Sequence, residues 1–313
     1  MTDKLKQPSV SIITATYNRE EELPRAINST LDQTYPHFEH IIVDDGSTDG
    51  TQGVVEKFDD DRIQYVRLEE NQGANAARNK GVQIASGDLI SFLDSDDEYL
   101  PSRLETVIKT LSGLDKTYGA AYHSYGVYKG GERETVRFAK NGDLTLSDFK
   151  HGTPMGGFLC AIFRAHVFDE IGLLDEKMKS SQDSDFYIRV ARQYKIRGIP
   201  AILGRYHQST TSISGNLNRR IKGQDRLFKK HGDVLSQRCR AKHYYNRAFL
   251  YASEGNMPSA RRSLWHAIEL NYKDPRYYYH FLASLLGDQA FKSSITFKKR
   301  VKLLWQDLRS NHC

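Results

Sequence analysis

The chain of 313 residues has room for about two domains and a sizeable hydrophobic core. Its 39% hydrophobic and 11% aromatic residues exclude a disordered protein, and its net charge of +6 does not require a nucleic-acid partner, so we expect none. The three cysteines, Cys160, Cys239 and Cys313, form no C-x-x-C pair. This argues against a disulfide framework or a zinc site and indicates a reducing cytosol.

The N-terminal stretch MTDKLKQPSVSIITATYN has no hydrophobic segment long enough for a signal peptide, and no run of about 18 apolar residues occurs anywhere. The sequence therefore predicts a cytoplasmic protein, either soluble or peripheral at the inner face of the membrane.

Four apolar runs alternate with helical patterns over the first hundred residues. The runs are SVSIIT, EHIIV, RIQYVRLE and DLISFLD. Such alternation predicts an α/β fold with a mostly parallel, Rossmann-like sheet and helices on both faces. The polar stretches TATYN, DDGS and DSDD follow three of the predicted strands, at the carboxyl ends where ligands bind in such sheets.

The second half of the chain is less regular. AAYHSYGVYKGGERETVRF predicts a hairpin, HGTPMGGF a glycine-rich loop, SQDSDFYIRVARQYKI a helix, and RGIPAILGRYHQSTTSIS a strand that runs into a polar loop. Beyond about residue 216 basic helical patterns dominate, and AKHYYNRAFLYASEGNMPSARRSLWHAIELN resembles one tetratricopeptide hairpin. We therefore expect a catalytic domain over residues 1–220 and a C-terminal helical domain over residues 221–313.

The acidic stretch DSDD contains a D-x-D pattern, Asp94-Ser95-Asp96. Carboxylates at a strand end can converge on a hard cation such as Mn2+ or Mg2+, which then holds a diphosphate by its oxygens. The alternatives are a solvated turn or the start of the helix near Pro101, with Asp97 as its N-cap.

The other two polar stretches and one helix offer candidate nucleotide contacts. Asp45, in DDGS, can accept a hydrogen bond from a base imide or a ribose hydroxyl, although an Asx turn explains it too. Tyr17 and Asn18 could stack on and hydrogen-bond to a base, or form an ordinary strand-to-helix turn. Arg78, in GANAARNKG, can reach a phosphate or remain a solvated charge.

Further candidates lie in the second half. Asp183 opens a predicted helix and cannot share one helical face with Asp185, so at most one of the two points into a cleft. Capping of the helix is the alternative role for Asp183. His207 lies in a polar loop and is a candidate metal ligand, whereas we expect His123 and His151 to be structural or exposed.

The stretches SIITATYNREEELPRAINSTLDQTYPHFEHIIVDDGSTDGT and NQGANAARNKGVQIASGDLISFLDSDDEYLP closely resemble the family-2 inverting glycosyltransferases of GT-A fold. The resemblance is continuous over residues 8–110 and returns over residues 156–190. The motifs TYN, DDGS, GxxxARNxG and DSDD occur together, in order and at the family's spacing. The resemblance implies a nucleotide-binding half at about residues 8–110 and an acceptor half at about 111–220.

The resemblance also implies roles for individual residues. The donor site would comprise Ala15, Tyr17, Asn18 and Asp45 around a uracil-type base, Arg78 near the nucleotide, Asp94 near the ribose, and Ser95. Asp96 would bind the metal. Asp183 would be the catalytic base, although the family's acidic pair reads Gln182-Asp183 here. The loop YHQSTTSIS resembles the segment that closes over the diphosphate; Ser209 takes a position often held by histidine, which makes His207 a substitute ligand.

These roles imply a metal-dependent transfer, with inversion, of one sugar from a UDP-sugar to a saccharide or lipid-linked acceptor, in polysaccharide or glycoconjugate synthesis. Processive relatives carry a Q-x-x-R-W motif and membrane spans, and this sequence has neither. A glycoside hydrolase would leave DDGS and DSDD unexplained. A dinucleotide-dependent oxidoreductase would need G-x-G-x-x-G after the first strand. An inactive nucleotide-sugar-binding scaffold with a partner-binding tail remains the alternative.

The C-terminal stretch FKSSITFKKRVKLLWQDLR is basic and places Phe297, Val301, Leu304 and Leu308 on one helical face. Such a helix could contact an anionic membrane, where lipid-linked acceptors lie. Packing of the apolar face on the preceding hairpin is the alternative.

Overall fold

A computed structural model describes residues 8–208, 217–291 and 293–294. The chain divides into two compact units, Met1–Asn216 and Leu217–Cys313.

The first unit consists of strands, helices and two short 3-10 helices. The strands are β1 Val10–Thr16, β2 Phe38–Asp44, β3 Ile63–Arg67, β4 Leu89–Phe92, β5 Glu98–Tyr99, β6 Tyr118–Lys129, β7 Glu132–Arg137, β8 Gly142–Leu144, β9 Ala161–Arg164 and β10 Lys195–His207. The helices are α1 Leu23–Leu31, α2 Thr51–Val55, α3 Ala74–Ile84, α4 Arg103–Ser112, α5 His166–Ile171 and α6 Gln182–Ala191, and the 3-10 helices span Leu146–His151 and Phe158–Cys160.

All ten strands belong to one sheet, whose main path runs β3-β2-β1-β4-β9-β6-β10-β5. The first four strands in the chain are parallel to one another, which confirms the predicted α/β architecture of the nucleotide half. Strand β9, which the sequence did not reveal, lies antiparallel between β4 and β6 and makes the whole sheet mixed. Because β1 lies between β2 and β4, the strand order reverses there, and in such sheets ligands bind at this point, in a crevice outside the carboxyl ends of the strands.

Helix α3 packs directly on β1. A Cβ placed on Gly81 would lie 2.4 Å from Cγ2 of Ile13, a fully buried residue, so only glycine permits this close approach. The packing matters for the site because α3 also carries Arg78, one turn before Gly81.

We expect the substitution Gly81→Ala to lower the free energy of unfolding by about 1–3 kcal/mol, since it overpacks the α3–β1 contact. The matched control is Gly53→Ala in α2, where an added Cβ meets nothing within 4 Å. That change should instead stabilise the protein by about 0.5–1 kcal/mol, because alanine favours the helix. Urea unfolding of both variants measures the difference, and equal effects at the two positions would contradict the packing argument.

The first predicted helix begins later in the structure than its pattern, whereas the predicted hairpin is confirmed. The helical pattern predicted between the first two strands becomes a helix only at Leu23, next to Pro24, which fits the first turn of a helix but not its interior. The predicted hairpin forms from β6 and β7, with Gly130 and Gly131 at φ values of 57° and 87° in the turn.

The second unit is helical in its described part, with α7 Leu217–His231, α8 Gln237–Ser253, α9 Met257–Leu270 and α10 Pro275–Leu285. Helices α8 and α9 join through a turn in which Gly255 has a φ of 76°, and they bury Ala248, Ala260, Leu264 and Ala267 between them. The likeness to a tetratricopeptide hairpin stays a prediction. No described helix is long and apolar enough to cross a membrane.

Candidate active site

The candidate site lies at the carboxyl ends of β1, β2 and β4. Thr16, the last residue of β1, is in register with Asp44 of β2, and Ile13 of β1 is in register with Phe92 of β4. The three polar stretches predicted to converge therefore begin side by side.

Asp45 is already held by the backbone. Its two carboxylate oxygens accept hydrogen bonds of 2.8 Å from the amides of Gln72 and Gly73, and the residue is 3% exposed. Asp44 accepts hydrogen bonds from the Ser47 amide and the Tyr65 hydroxyl. The DDGS motif therefore ties the end of β2 to the segment that begins α3, in addition to any contact with a base.

Tyr17 and Asn18 flank this motif. Tyr17 is 43% exposed, so its ring is available for stacking, and Ala15 is partly exposed. Asn18 has a left-handed backbone, with φ at 51°, and its side-chain oxygen accepts a hydrogen bond from the Thr48 amide. The Asn18 side chain thus fixes the loop between β2 and α2, and the tyrosine carries the open aromatic face.

Arg78 is a buried partner of the acidic motif. The alternative that Arg78 remains a solvated charge is therefore wrong. Its guanidinium donates to Asp94 at 2.5 Å and to Asn75 at 3.3 Å, and it lies 5.3 Å from the Phe158 ring centre. Only 6% of the residue is exposed. Arg78 therefore neutralises and orients the first carboxylate of the D-x-D pattern.

Asp96 has no such partner. Arg25 donates to its backbone carbonyl, but its carboxylate forms no ion pair with any residue in the described part of the chain. Burial, and then the negative charge of Asp94, raise the pKa of the Asp96 carboxyl to about 6. Ser95, between the two aspartates, is buried.

Asp97 is fully buried and does not cap a helix as one alternative had it, because α4 begins at Arg103 with Ser102 at the N-cap. One of its oxygens accepts from the His207 amide at 2.9 Å, and the other is buried without a hydrogen-bond partner among the described residues. Burial, followed by the charges of Asp94 and Asp96, raises its pKa well above the usual value.

These carboxylates fit the hard divalent cation that the resemblance implies. The cluster offers oxygen ligands. Among the described residues, the Asp96 carboxylate has no ion-pair partner and one buried oxygen of Asp97 has no hydrogen-bond partner. Over the residues that the structure describes, no three acidic, histidine or cysteine side chains form a closed metal cage. Mg2+ does not need one, since it commonly binds through one or two carboxylates, several waters and the phosphates of a substrate.

Asp183 belongs to the same charged cluster. It lies in the first turn of α6, after Ser181, whose φ of 59° is left-handed. Burial raises the pKa of the Asp183 carboxyl most strongly, hydrogen bonds from Ser184 and the charge of Arg78 lower it, and the charge of Asp94 raises it. As expected from the helical spacing, Asp185 points elsewhere and pairs with Arg189 at 3.2 Å.

Two asparagines bring α6 to this position. Asn75 and Asn79 of α3 donate to the carbonyls of Asp175 and Leu174, and thereby hold the loop before α6 against the helix that carries Arg78. Sequence reasoning did not assign them a role, although both lie in the GxxxARNxG motif.

His207 ends β10 beside the acidic motif. Its Nε2 atom is 2.6 Å from Oε1 of Glu98, so a metal at this nitrogen would have to displace that contact. Ser209 and the rest of the loop resembling the diphosphate-closing segment lie outside the described residues. His123 is structural, as expected: it is buried and its Nε2 accepts from Arg103 at 2.9 Å.

Glu98 is a functional candidate that sequence reasoning missed. Its carboxylate contacts His207, Arg205 at 3.3 Å and Arg25 at 3.5 Å. Because Arg25 in turn donates to the Asp96 carbonyl, Glu98 links α1 and β10 to the backbone of the acidic motif. The only signal in the sequence is that Glu98 directly follows DSDD.

We expect Glu98→Ala to lower the free energy of unfolding by about 1.5–3 kcal/mol, the range for hydrogen bonds to charged groups, and to raise the donor KM more than it lowers kcat. Glu98→Gln, which keeps the hydrogen-bonding shape, should recover most of both losses. Glu132→Ala, on the exposed strand β7, is the control and should change neither. Urea unfolding and donor kinetics measure both effects. A kcat loss with an unchanged KM would rule out this positioning role.

Comparison with known proteins agrees with this geometry. The family "Glycosyl transferase family 2" matches residues 11–172. The "Putative teichuronic acid biosynthesis glycosyltransferase TuaG" of Bacillus subtilis (strain 168) is 31% identical over 215 residues, 67% of this chain and 83% of that protein. The "Putative colanic acid biosynthesis glycosyl transferase WcaA" of Escherichia coli (strain K12) is 30% identical over 240 residues, 74% and 84% of the two chains.

Two solved structures show a similar fold. S. aureus TarS 1-349, in complex with UDP-GlcNAc, superimposes with a TM-score of 0.66 at 18% identity, over 93% of this chain and 92% of that chain. The mannosyltransferase PcManGT from Pyrobaculum calidifontis, in complex with GDP-Man and Mn2+, gives 0.57 at 19% identity, over 91% and 87%.

The acidic motif lies at the carboxyl ends of the parallel strands. Together with the sheet, it defines a glycosyltransferase of GT-A type. The chain belongs to glycosyl transferase family 2.

Proposed function

We propose that the protein transfers one sugar from a nucleotide-sugar to a hydroxyl of a saccharide or lipid-linked acceptor. The proposed donor is a UDP-sugar, and the transfer inverts the anomeric configuration. The observation that carries the proposal is the charged cluster of Arg78 and Asp94, together with Asp183, whose preceding loop Asn75 and Asn79 hold against the helix of Arg78. This cluster combines an acidic group for the acceptor with an acidic motif for the donor.

On this proposal the donor nucleotide lies along the crevice. The exposed Tyr17 ring stacks on the base, Ala15 and Asn18 line its pocket, and Asp45 accepts from its imide with a lone pair that its backbone contacts leave open. Asp94, held by Arg78, and Ser95 lie beside the ribose. These residues orient the donor and lower the entropy cost of reaction.

Asp183 would act as general base. Its carboxylate takes the proton of the acceptor hydroxyl while that oxygen forms a bond to the anomeric carbon and the bond to the diphosphate breaks. The proton remains on Asp183, and the electron pair leaves with the diphosphate. Burial favours this role, because it raises the pKa of the carboxyl toward that of a useful base.

Asp96 would hold the metal, with His207 as a further candidate ligand. A bound Mn2+ or Mg2+ supplies charge that stabilises the leaving diphosphate. The choice of a divalent ion is supported by the oxygen donors of the cluster and by the Mn2+ in the PcManGT complex.

Three comparisons support the substrate classes. TarS was solved with UDP and with UDP-GlcNAc, which favours a uridine donor. TuaG and WcaA carry names from teichuronic acid and colanic acid biosynthesis, which favours an acceptor in polysaccharide synthesis. We further propose that the acceptor half corresponds to about residues 111–220 and that the basic stretch at residues 291–309, almost all of it outside the described residues, contacts the membrane.

Titration with UDP by calorimetry tests the donor site. We expect UDP to bind in the presence of Mn2+. When EDTA removes the metal, affinity should fall by roughly a factor of ten or more, because no metal ion then offsets the charge of the diphosphate and of Asp96. GDP and dTDP are the controls for the base. Binding of UDP that is equally tight in Mn2+ and EDTA would contradict the metal assignment.

A further inference from the structure

Helix α10 turns an apolar face outward. The exposed residues are Tyr278, Tyr279, Leu282, Leu285 and Leu286, which lie three or four positions apart along the helix and its last turn. Leu282, Leu285 and Leu286 are 60%, 55% and 81% exposed. A helix on the surface of a soluble domain normally shows the opposite pattern, so these leucines require an explanation.

The orientation of α10 is fixed by its inner face. Tyr277, His280 and Ser284 are buried there, and Nδ1 of His280 lies 2.8 Å from Oγ of Ser294. The Ser284 hydroxyl donates to the Phe281 carbonyl. The polar groups on the buried side are therefore satisfied, and a rotation of the helix that hid the leucines would expose these groups and break their contacts.

Two further exposed aromatic side chains belong to α9 and to the turn before α10. We call these two and the five residues above the α10 face. Trp265 of α9 is 49% exposed, and its ring centre lies 5.7 Å from that of Phe281. Tyr272, in the turn between α9 and α10, is 66% exposed, with the amine of Lys273 over its ring. Tryptophan, tyrosine and leucine with flanking lysine or arginine are the residues typical of a membrane–water interface.

The charge of the chain is divided unevenly between its two units. Residues 217–313 contain 20 Lys and Arg against 7 Asp and Glu, a net charge of +13, whereas residues 1–216 contain 25 against 32, a net charge of −7. The unit that carries the α10 face is therefore strongly attracted to an anionic surface, while the catalytic unit is not.

We propose that the α10 face docks on an anionic lipid bilayer, with its leucines in the upper acyl region and its tyrosines and tryptophan among the headgroups. This surface belongs to the second unit, whereas the residues of the candidate active site belong to the first. The inference rests on the proposed function only in that a lipid-linked acceptor gives the contact a purpose.

Other occupants fit the α10 face less well. An anionic glycan would use the positive charge of the unit, but it would leave three exposed leucines without an apolar partner. A second copy of the chain would cover the leucines, but it would bring together two units of charge +13 each. An anionic bilayer satisfies both the apolar and the electrostatic requirement.

The test is co-sedimentation of the full chain with vesicles of phosphatidylcholine, with and without phosphatidylglycerol. We expect binding to the anionic vesicles, and at least tenfold weaker binding for the variant Leu282→Ser/Leu285→Ser/Leu286→Ser. The matched control is Phe138→Ser, which removes a side chain that is 75% exposed in the catalytic unit and should leave vesicle binding unchanged.

Absence of binding to anionic vesicles would overturn the inference, as would equal binding by the triple variant. Wild-type self-association that the triple variant abolishes, measured by light scattering, would assign the face to a second copy and would also overturn it. UDP titration of the same samples reports on the donor site separately, because a defect in vesicle binding should leave nucleotide affinity unchanged.

Discussion

Replacement of Asp96 by asparagine should reduce sugar transfer by roughly 10²–10⁴-fold, since a metal ion contributes several kcal/mol of charge stabilisation in the transition state. The structure makes Asp96 the sensitive position because its carboxylate has no ion pair in the described part of the chain, whereas Arg78 already neutralises Asp94. The variant should also lose the part of its UDP affinity that depends on Mn2+.

The matched control for this prediction is Asp59→Asn, an exposed aspartate in the loop after α2. It removes the same charge far along the chain from the acidic motif and should leave both transfer and nucleotide affinity within about twofold of the wild type. A radiolabelled donor with an acceptor extract measures transfer, and calorimetry measures UDP binding. Retention of metal-dependent UDP affinity in Asp96→Asn would place the cation on other residues.

Replacement of Asp183 by asparagine should separate chemistry from binding. We expect transfer to fall by roughly 10²–10⁴-fold, the usual contribution of a general base, while UDP affinity in Mn2+ changes by about twofold or less. Asparagine retains the shape of the side chain and can still accept the hydrogen bond that Asp183 receives from the Ser184 amide, so α6 should fold normally.

The pH dependence of transfer provides a second measurement on Asp183. A base acts only when ionised, and burial raises the pKa of this carboxyl, so wild-type activity should disappear on acidification at a higher pH than for an ordinary aspartate. The slow residual transfer by Asp183→Asn should keep only the part of the pH dependence that arises from Asp96, whose carboxyl also has a raised pKa. If the variant loses UDP affinity in proportion to its rate, Asp183 contributes to donor binding and is not the base.

The parts of the fold that follow from local pattern were predictable. The four parallel strands of the nucleotide half are short, β-branched runs followed by turn residues, and each polar motif follows its strand directly. The antiparallel strand β9 was not predicted, because its four residues, AIFR, carry no alternation and its partners β4 and β6 are distant in sequence.

The same distinction holds for the candidate site. Its residues were proposed because the motifs TYN, DDGS and DSDD occur together, but the pairing of these residues with one another was not predicted. Nothing in the spacing of Arg78 and Asp94, which belong to different elements, indicates that they form a buried ion pair. The role of Glu98 depends on Arg25, Arg205 and His207, which come from two other elements, and only the folded chain brings these together.

The contacts of Asp45 have a consequence for how donor specificity can be studied. Its carboxylate joins the end of β2 to the amides of Gln72 and Gly73, so this wall of the pocket is assembled before any nucleotide arrives. A substitution at Asp45 would therefore release that segment as well as remove a contact to the base. The resulting loss of affinity would overstate the share of Asp45 in base recognition. The affinity that stacking on the base contributes is better measured through Tyr17, because its exposed ring makes no comparable contact within the fold that the structure describes.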